Sequence, residues 1–224
     1  DKGERAEKKA SDKDKKVASS GILNFNTSSK VEYYPPETST LKNRTSFTTE
    51  EQLLEEEGPT IEYKNYVYPF LPANILEIRQ DICGFLNTRG GRIYIGIQHP
   101  KKVVGIEILK GERKDLIQGL ATEIAMKIDP IPNGLIDMQF IPVLFKNGNE
   151  KKNECVIKII VKQGNSNQLY YMNEAAYIRA GKDTKKLDNA TANTLSKLRQ
   201  IEGQNLASEL DFDDFGKQLP TSYE

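Results

Sequence analysis

Apolar residues recur at spacings of three and four between positions 73 and 87, which predicts an amphipathic helix with one buried face. Isoleucine alternates with other residues from position 92 to position 98, which predicts a strand with one fully buried face and one partly open face. Between the two patterns stands Arg89-Gly90-Gly91, where we expect the helix to end in a glycine cap with positive φ. The rest of the predicted fold is organised around this helix, turn and strand.

The remaining hydrophobic pattern predicts three further helices and several strands. We expect a short capped helix at residues 48–56, strands at 61–68, 103–108, 135–144 and 154–161, a helix at 111–129, a hairpin at 168–179 and a last helix that Asp188 begins and Gly203 ends. This order predicts an α+β domain in which a mixed β-sheet is covered by flanking helices.

Residues 1–46 lack a regular hydrophobic period. Charged residues dominate positions 1–20, whereas positions 21–46 carry scattered apolar and aromatic residues. We therefore predict a disordered tail followed by an extended arm that docks on the core or on another subunit. The folded domain is predicted at residues 47–204, and residues 205–224 are predicted to form an acidic tail.

Charge is unevenly distributed, although the formal net charge of the chain is zero. Residues 58–200 carry 21 basic and 14 acidic side chains, whereas residues 201–224 carry one and six. A basic folded segment favours a phosphate-bearing partner. The two cysteines lack metal-site spacing and indicate a reducing compartment, the cytoplasm or the nucleus. No apolar run reaches the roughly 20 residues that cross a bilayer, so we expect no membrane association.

Two glycine turns with basic neighbours are candidates for phosphate binding. They are Arg89-Gly90-Gly91-Arg92 and Arg179-Ala180-Gly181-Lys182. Glycine exposes backbone N–H groups and lets a ligand approach closely. We predict that nucleic acid is bound by the four basic side chains of these turns: Arg89, Arg92, Arg179 and Lys182. The alternative is that the glycines only permit tight turns.

An acidic element precedes the helix. Glu57 and Glu62 stand five residues apart at the entrance of a predicted strand, and two carboxylates that converge there are suited to a divalent cation that activates water against a phosphodiester. Lys64 shares a strand face with Glu62 and is predicted to contact a phosphate. The alternative interpretation is that Glu55-Glu56-Glu57 is the solvated end of a helix.

Three stretches together resemble a known family. The sequences EGPTIEYK (57–64), FLNTRGGRIYIGI (85–97) and YIRAG (177–181) are similar to the Schlafen family and its AlbA-like (AlbA_2) nucleic-acid-binding domain, over roughly residues 50–198. The resemblance implies an α+β Schlafen-core lobe that binds RNA or DNA in a positively charged groove. In several members it also implies metal-dependent cleavage of structured RNA by three acids.

Two of those acids are matched by Glu57 and Glu62, whereas Gln98-His99-Pro100 stands where the third is usually found. Larger members place two lobes side by side. The resemblance therefore also implies an identical or related partner lobe, in a homo-oligomer or hetero-oligomer.

Three functional hypotheses follow. The first is a subunit of a metal-dependent RNA endonuclease that processes tRNA or small-RNA precursors, in which Glu57 and Glu62 bind Mg²⁺ or Mn²⁺ and Lys64 holds the scissile phosphate. The second is a non-catalytic nucleic-acid-binding or scaffold subunit that pairs with a catalytic Schlafen-like partner, which the missing third acid favours. The third is a DNA-binding regulatory domain.

Overall fold

The computed structural model describes residues 40–202. The predicted disordered tail, most of the predicted arm, the acidic tail and the helix end at Gly203 lie outside these residues. The division into a domain at 47–204 and flanking tails stays a prediction.

Three helices and twelve strands are found in residues 40–202. The helices are α1 (Pro72–Leu86), α2 (Arg113–Ala125) and α3 (Asn189–Glu202). The strands are β1 (Phe47–Thr48), β2 (Ile61–Lys64), β3 (Gly91–Ile95), β4 (Ile97–Gln98), β5 (Lys102–Val103), β6 (Ile106–Glu107), β7 (Ile128–Asp129), β8 (Ile136–Leu144), β9 (Glu150–Val161), β10 (Tyr171–Met172), β11 (Ala175–Ala180) and β12 (Asp183–Lys186).

The main sheet is mixed and has the strand order β1-β8-β9-β3-β2, with β6 also paired to β9. Strands β2 and β3 run parallel, with Ile61 opposite Arg92, and β3 runs antiparallel to β9. A smaller antiparallel sheet has the order β12-β11-β10-β7. The predicted α+β class, a mixed sheet with flanking helices, is therefore confirmed.

Both faces of the main sheet are buried around β3. On one face the apolar stripe of α1, including Ile78, Ile82 and Phe85, packs in one core with Ile93 and Ile95 of the sheet. The opposite face is covered by the segment 41–53. The side chains of this second core include Leu41, Phe47, Leu53 and Tyr94. The prediction of one partly open face for β3 is wrong, because a distant segment covers it and local alternation carries no trace of that cover.

The prediction of a helix at residues 48–56 is wrong. Thr48 belongs to β1, which pairs in parallel with β8, and the N–H of Leu53 donates to the carbonyl of Lys101. The carboxylate of Glu51 accepts the N–H of Thr48 at 3.0 Å, a contact that resembles a helix cap in sequence but here stabilises a turn. Glu50 has φ 62°, a left-handed conformation that an α-helix does not accommodate.

Most other elements lie near their predicted positions. Helix α1 and the hairpins β8–β9 and β10–β11 are confirmed, and Asp188 caps α3 by accepting the N–H of Thr191 at 2.8 Å. The strand predicted at 61–68 ends at Lys64, because the chain leaves the sheet there. The helix predicted at 111–129 is wrong beyond Ala125, because Ile128 and Asp129 form β7. Strand β12 was not predicted, since its sequence DTKK has no apolar residue.

Candidate functional site

Four charged side chains from three elements meet at the edge of the main sheet. Glu62 of β2 is only 9% exposed, and its Oε2 lies 2.7 Å from Nη1 of Arg179 on β11. Its other oxygen, Oε1, lies 2.9 Å from Nζ of Lys64. The same Nζ lies 3.0 Å from Oδ2 of Asp81, which projects from α1. Two buried carboxylates and two cations therefore form one compact cluster, which we call the charge cluster.

Arg179 connects this cluster to the surrounding loops. Its Nη1 also donates to Oγ1 of Thr184 at 2.9 Å, and its Nη2 donates to the carbonyls of Gly58 and Lys182, each at 2.8 Å. The guanidinium carbon lies 4.8 Å from the centre of the Phe85 ring. These contacts of the buried side chain, which is only 1% exposed, connect β2, α1 and the β11–β12 hairpin.

Burial and neighbouring charge govern protonation in the charge cluster. Burial raises the pKa of Glu62, and the nearby carboxylate of Asp81 raises it further, against the opposing effect of Arg179 and Lys64. Burial alone would lower the pKa of Lys64, but Asp81 and Glu62 outweigh it and raise that pKa. Lys64 is therefore held as a cation between the two carboxylates.

Glu57 faces a different partner. Its Oε1 accepts the backbone N–H of Tyr63 at 3.0 Å, and the adjacent Gly58 exchanges backbone hydrogen bonds with Ile61. These contacts occupy the outer edge of β2, which within residues 40–202 has a strand neighbour on its β3 side only. Glu57 thus protects a sheet edge.

The carboxylate that joins Glu62 is Asp81, not Glu57. In the part of the chain that the structure describes, no three His, Cys, Asp or Glu side chains are grouped so as to hold a metal ion. The predicted metal-binding role of Glu57 and Glu62 stays a prediction, as does the contact of Lys64 with a phosphate.

The four predicted nucleic-acid-binding residues fall into two pairs. Arg89 and Lys182 are exposed, whereas Arg92 and Arg179 are buried, at 2% and 1% exposure. Arg92 lies on the sheet face that the segment 41–53 covers, where it interacts with Tyr94. Each glycine turn therefore presents one basic side chain to solvent, Arg89 in the first turn and Lys182 in the second. Their predicted contacts with nucleic acid stay predictions.

The stretch that contains Asn87 forms a joint between α1 and the smaller sheet. The fully buried Asn87 side chain donates to the carbonyls of Tyr170 and Tyr177, at 2.8 and 2.9 Å, and accepts the N–H of Tyr170 at 2.8 Å. Nη2 of Arg199, on α3, donates to the Asn87 carbonyl at 2.6 Å. The side chain of Asn87 therefore satisfies buried backbone groups and stabilises the fold.

Gly90 and Gly91, which follow α1, are required for two different reasons. Gly90 has φ 71°, and its N–H donates to the carbonyl of Phe85 at 2.9 Å, as expected for a glycine cap. A Cβ on Gly91 would lie 2.2 Å from the Phe85 ring, so that position requires glycine. The interpretation that these glycines permit a tight turn accounts for the geometry of this loop.

Sequence reasoning missed Asp81, Thr184 and the exposed lysines Lys185 and Lys186 of β12. One signal for Asp81 was available, because this acid interrupts the apolar stripe between Ile78 and Ile82. No local signal brings β12 to α1, since Thr184 reaches Asp81 across 103 residues of sequence.

None of the helices within residues 40–202 is long and apolar enough to cross a bilayer.

Comparison with known proteins identifies a family. The family model described as "Schlafen, AlbA_2" matches residues 57–188. No curated protein matches the sequence. Among solved structures, the chain is similar to the DIP2311 protein from Corynebacterium diphtheriae, with 17% identity and a TM-score of 0.44. That match covers 63% of this chain and 24% of the other, so the chain spans about a quarter of the length of that relative.

Proposed function

The chain belongs to the Schlafen AlbA_2 family, and from this membership we propose that it is an RNA-binding subunit of an RNA-processing assembly. In this proposal the chain itself does not cleave RNA. The family membership suggests a nucleic-acid-related function. The observation that carries this proposal is the pairing of Glu62. Each of its carboxylate oxygens already has a protein cation within 3 Å, namely Arg179 at 2.7 Å and Lys64 at 2.9 Å.

A divalent ion would have to compete with these two cations. Hard cations need several unshared carboxylate or carbonyl oxygens in one place. Breaking a buried ion pair by withdrawing one partner costs about 3–5 kcal/mol, because the other charge is left buried. The carboxylates of Glu62 and Asp81 are therefore better suited to stabilising the fold than to holding a catalytic metal.

The exposed cations near the charge cluster are the proposed RNA contacts. The carbonyls of Lys182 and Gly58 share Nη2 of Arg179, which places Lys182 beside the start of β2. Arg89 precedes β3 by two residues, and β3 runs parallel to β2. Arg89 and Lys182 thus both lie near the N-terminal ends of β2 and β3. Lys185 and Lys186 of β12 are also exposed, and they add one basic side chain to each face of that strand.

A second candidate function is metal-dependent RNA cleavage by this chain. Asp81 favours it, because this residue of α1 brings a carboxylate next to the Lys64–Glu62 pair. This carboxylate could replace the third acid that is missing at Gln98-His99-Pro100. In this alternative Lys64 would leave its place between the two carboxylates to hold the scissile phosphate, and Glu57 and Glu62 would bind Mg²⁺ or Mn²⁺ as the sequence predicts.

Two assays separate these functions. In the first, fluorescence anisotropy measures binding of a labelled RNA hairpin and of a DNA hairpin of the same sequence, across a range of salt. We expect affinity to fall as salt rises, and Lys182→Glu and Lys185→Glu to weaken binding about tenfold or more. Lys127→Glu, at an exposed lysine after α2, is the matched control and should change affinity less than the other two.

In the second assay, the chain is incubated with tRNA and Mg²⁺ or Mn²⁺, alone and with its co-purified partner. The proposal expects cleavage only with the partner present, and the same cleavage when Glu57 of this chain is replaced by Gln. Cleavage by the chain alone that Glu57→Gln abolishes would establish the second candidate instead. Equal affinity for RNA and DNA hairpins would overturn the choice of RNA.

A further inference from the structure

A groove of about 600 Å³ lies between the loop that follows β2 and the segment around β6. One wall is formed by residues 65–68 and the other by residues 104–107, with Leu109 and Glu112 at the second wall. None of the basic residues of the proposed RNA surface lines this groove.

The groove presents apolar side chains to solvent. Val67 is 81% exposed and Leu109 is 50% exposed. Their surroundings are ordered by aromatic packing, since Tyr66 and Tyr68 each meet the ring of Phe70 edge to face, with centroids 6.3 and 5.9 Å apart. Exposed apolar side chains on such a supported wall are typical of a surface that another molecule covers.

Strand β6 adds a backbone edge to the groove. It pairs with β9 on one side, with Ile106 opposite Cys155, and Ile108 donates its N–H to the carbonyl of Asn153. In an antiparallel pair the backbone groups of successive residues point to opposite sides. Glu107 therefore directs its N–H and C=O away from β9, toward the side on which residues 65–68 lie. An extended segment can add to such an edge.

The charge of the groove determines which kind of segment it can bind. Its two charged lining residues, Glu107 and Glu112, are both acidic and both exposed. A phosphate backbone would be repelled there, and so would residues 203–224 of this chain, which carry five acidic and one basic side chain. A segment with basic side chains is attracted.

From these observations we propose that the groove binds an extended segment of another protein, in which branched or aromatic apolar side chains alternate with lysine or arginine. The apolar side chains would cover Val67 and Leu109, the backbone would pair with Glu107, and the basic side chains would meet the two glutamates. Such a surface gives the chain a protein-docking site separate from its basic face.

The test uses two synthetic peptides and the full chain. In one peptide valine and tyrosine alternate with lysine, and in the other glutamate replaces each lysine. Both are labelled with fluorescein and titrated by anisotropy with the chain up to about 1 mM, a range that detects weak binding. We expect the lysine peptide to bind at least about tenfold more tightly, as like charges across an interface are costly. No binding of the lysine peptide in this range would overturn the proposal.

Charge reversal and an apolar control locate the site. Glu107→Lys and Glu112→Lys together should reverse the preference toward the glutamate peptide, and either substitution alone should reduce it if the double variant fails to fold. Val67→Ser should weaken binding several-fold, whereas Leu54→Ser should not, because Leu54 is equally exposed at 81% but does not line the groove. Equal effects of the two serine variants would refute the assignment.

Other occupants give different results. A dimer in sedimentation that Val67→Ser dissociates would identify a second copy, and a photo-crosslink from position 67 to residues 1–39 of the same molecule would identify this chain's own segment. An RNA hairpin that displaces the peptide would identify nucleic acid. Any of the three would overturn the proposal. RNA binding weakened by Lys182→Glu is a separate measurement, so the two proposals fail independently.

Discussion

Nη1 of Arg179 lies 2.7 Å from Oε2 of Glu62, and the two side chains are only 1% and 11% exposed. The residues are 117 positions apart, so their contact joins β11 to β2 across most of the folded chain. The sequence stretches that carry the family resemblance, EYK and YIRAG, meet at this ion pair.

Replacing Arg179 by Ala should lower the free energy of unfolding by about 3–5 kcal/mol, because Glu62 would be left as a buried charge with one cation fewer. Urea denaturation followed by circular dichroism measures this change. Lys182→Ala is the matched control, since Arg179 contacts only the carbonyl of Lys182 and that carbonyl remains in the variant. A loss below about 1 kcal/mol for Arg179→Ala would contradict the structural role.

The side chain of Asn87 should matter as much. Asn87→Ala removes three hydrogen bonds to the backbone and leaves the N–H of Tyr170 and the carbonyls of Tyr170 and Tyr177 buried without this partner. We expect a loss of about 3 kcal/mol in the free energy of unfolding, given about 1 kcal/mol for each bond. Asn149→Ala, at an exposed position in the β8–β9 turn, should cost less than about 0.5 kcal/mol.

Gly91 offers a steric prediction. Because a Cβ at Gly91 would lie 2.2 Å from the Phe85 ring, Gly91→Ala should lower the melting temperature by several degrees or more, through about 1–3 kcal/mol of overpacking. Gly111→Ala is the control, since a Cβ there would meet nothing within 4 Å. Adding Phe85→Leu should recover part of the loss at Gly91, because it removes the ring; no recovery would place the strain elsewhere.

Local patterns predicted the elements whose own residues determine them. Neighbouring residues determine the apolar stripe of α1, and the structure confirms this helix. They also determine the hairpin turn at Asn173-Glu174, where both residues have positive φ. The failed helix at 48–56 illustrates the opposite case. There the carbonyl of Glu51 accepts the N–H of Val103 and the N–H of Leu53 donates to the carbonyl of Lys101, so tertiary contacts override the local capping signal.

The candidate site was only partly accessible to sequence reasoning. Glu62, Lys64 and Arg179 were named as candidates from the acidic element and the glycine turn, and the structure brings the three side chains together. Their predicted roles toward metal, phosphate and nucleic acid stay predictions. Their geometry was not predictable, since whether an arginine faces solvent or a buried carboxylate depends on how β11 packs on α1. Asp81 was missed although it interrupts the apolar stripe of α1, and its partners, which come from β2 and β12, could not be read from the sequence.

Lys158 provides the last prediction, which concerns pH. Its Nζ donates to the carbonyl of Lys42 at 2.7 Å beneath the segment 41–53. Burial, aided by the charge of Arg92 and opposed by Asp137, lowers the pKa of Lys158 from 10.5 to about 8. Between pH 8 and 10.5 the unfolded chain therefore binds more protons at this residue than the folded chain does. This residue should accordingly make stability rise as pH increases through that window.

The measurement compares the wild type with Lys158→Met at pH 7, 8, 9 and 10. The difference between the two isolates Lys158 from the tyrosines and lysines that titrate in the same range. We expect the wild type to gain stability relative to the variant as pH rises above 8, because charging a buried amine penalises the native state only at lower pH. A relative stability that is flat, or that falls with pH, would mean that Lys158 keeps an ordinary pKa in the folded protein. In that case the amine would be solvated, and the segment 41–53 would not close over it as the structure has it.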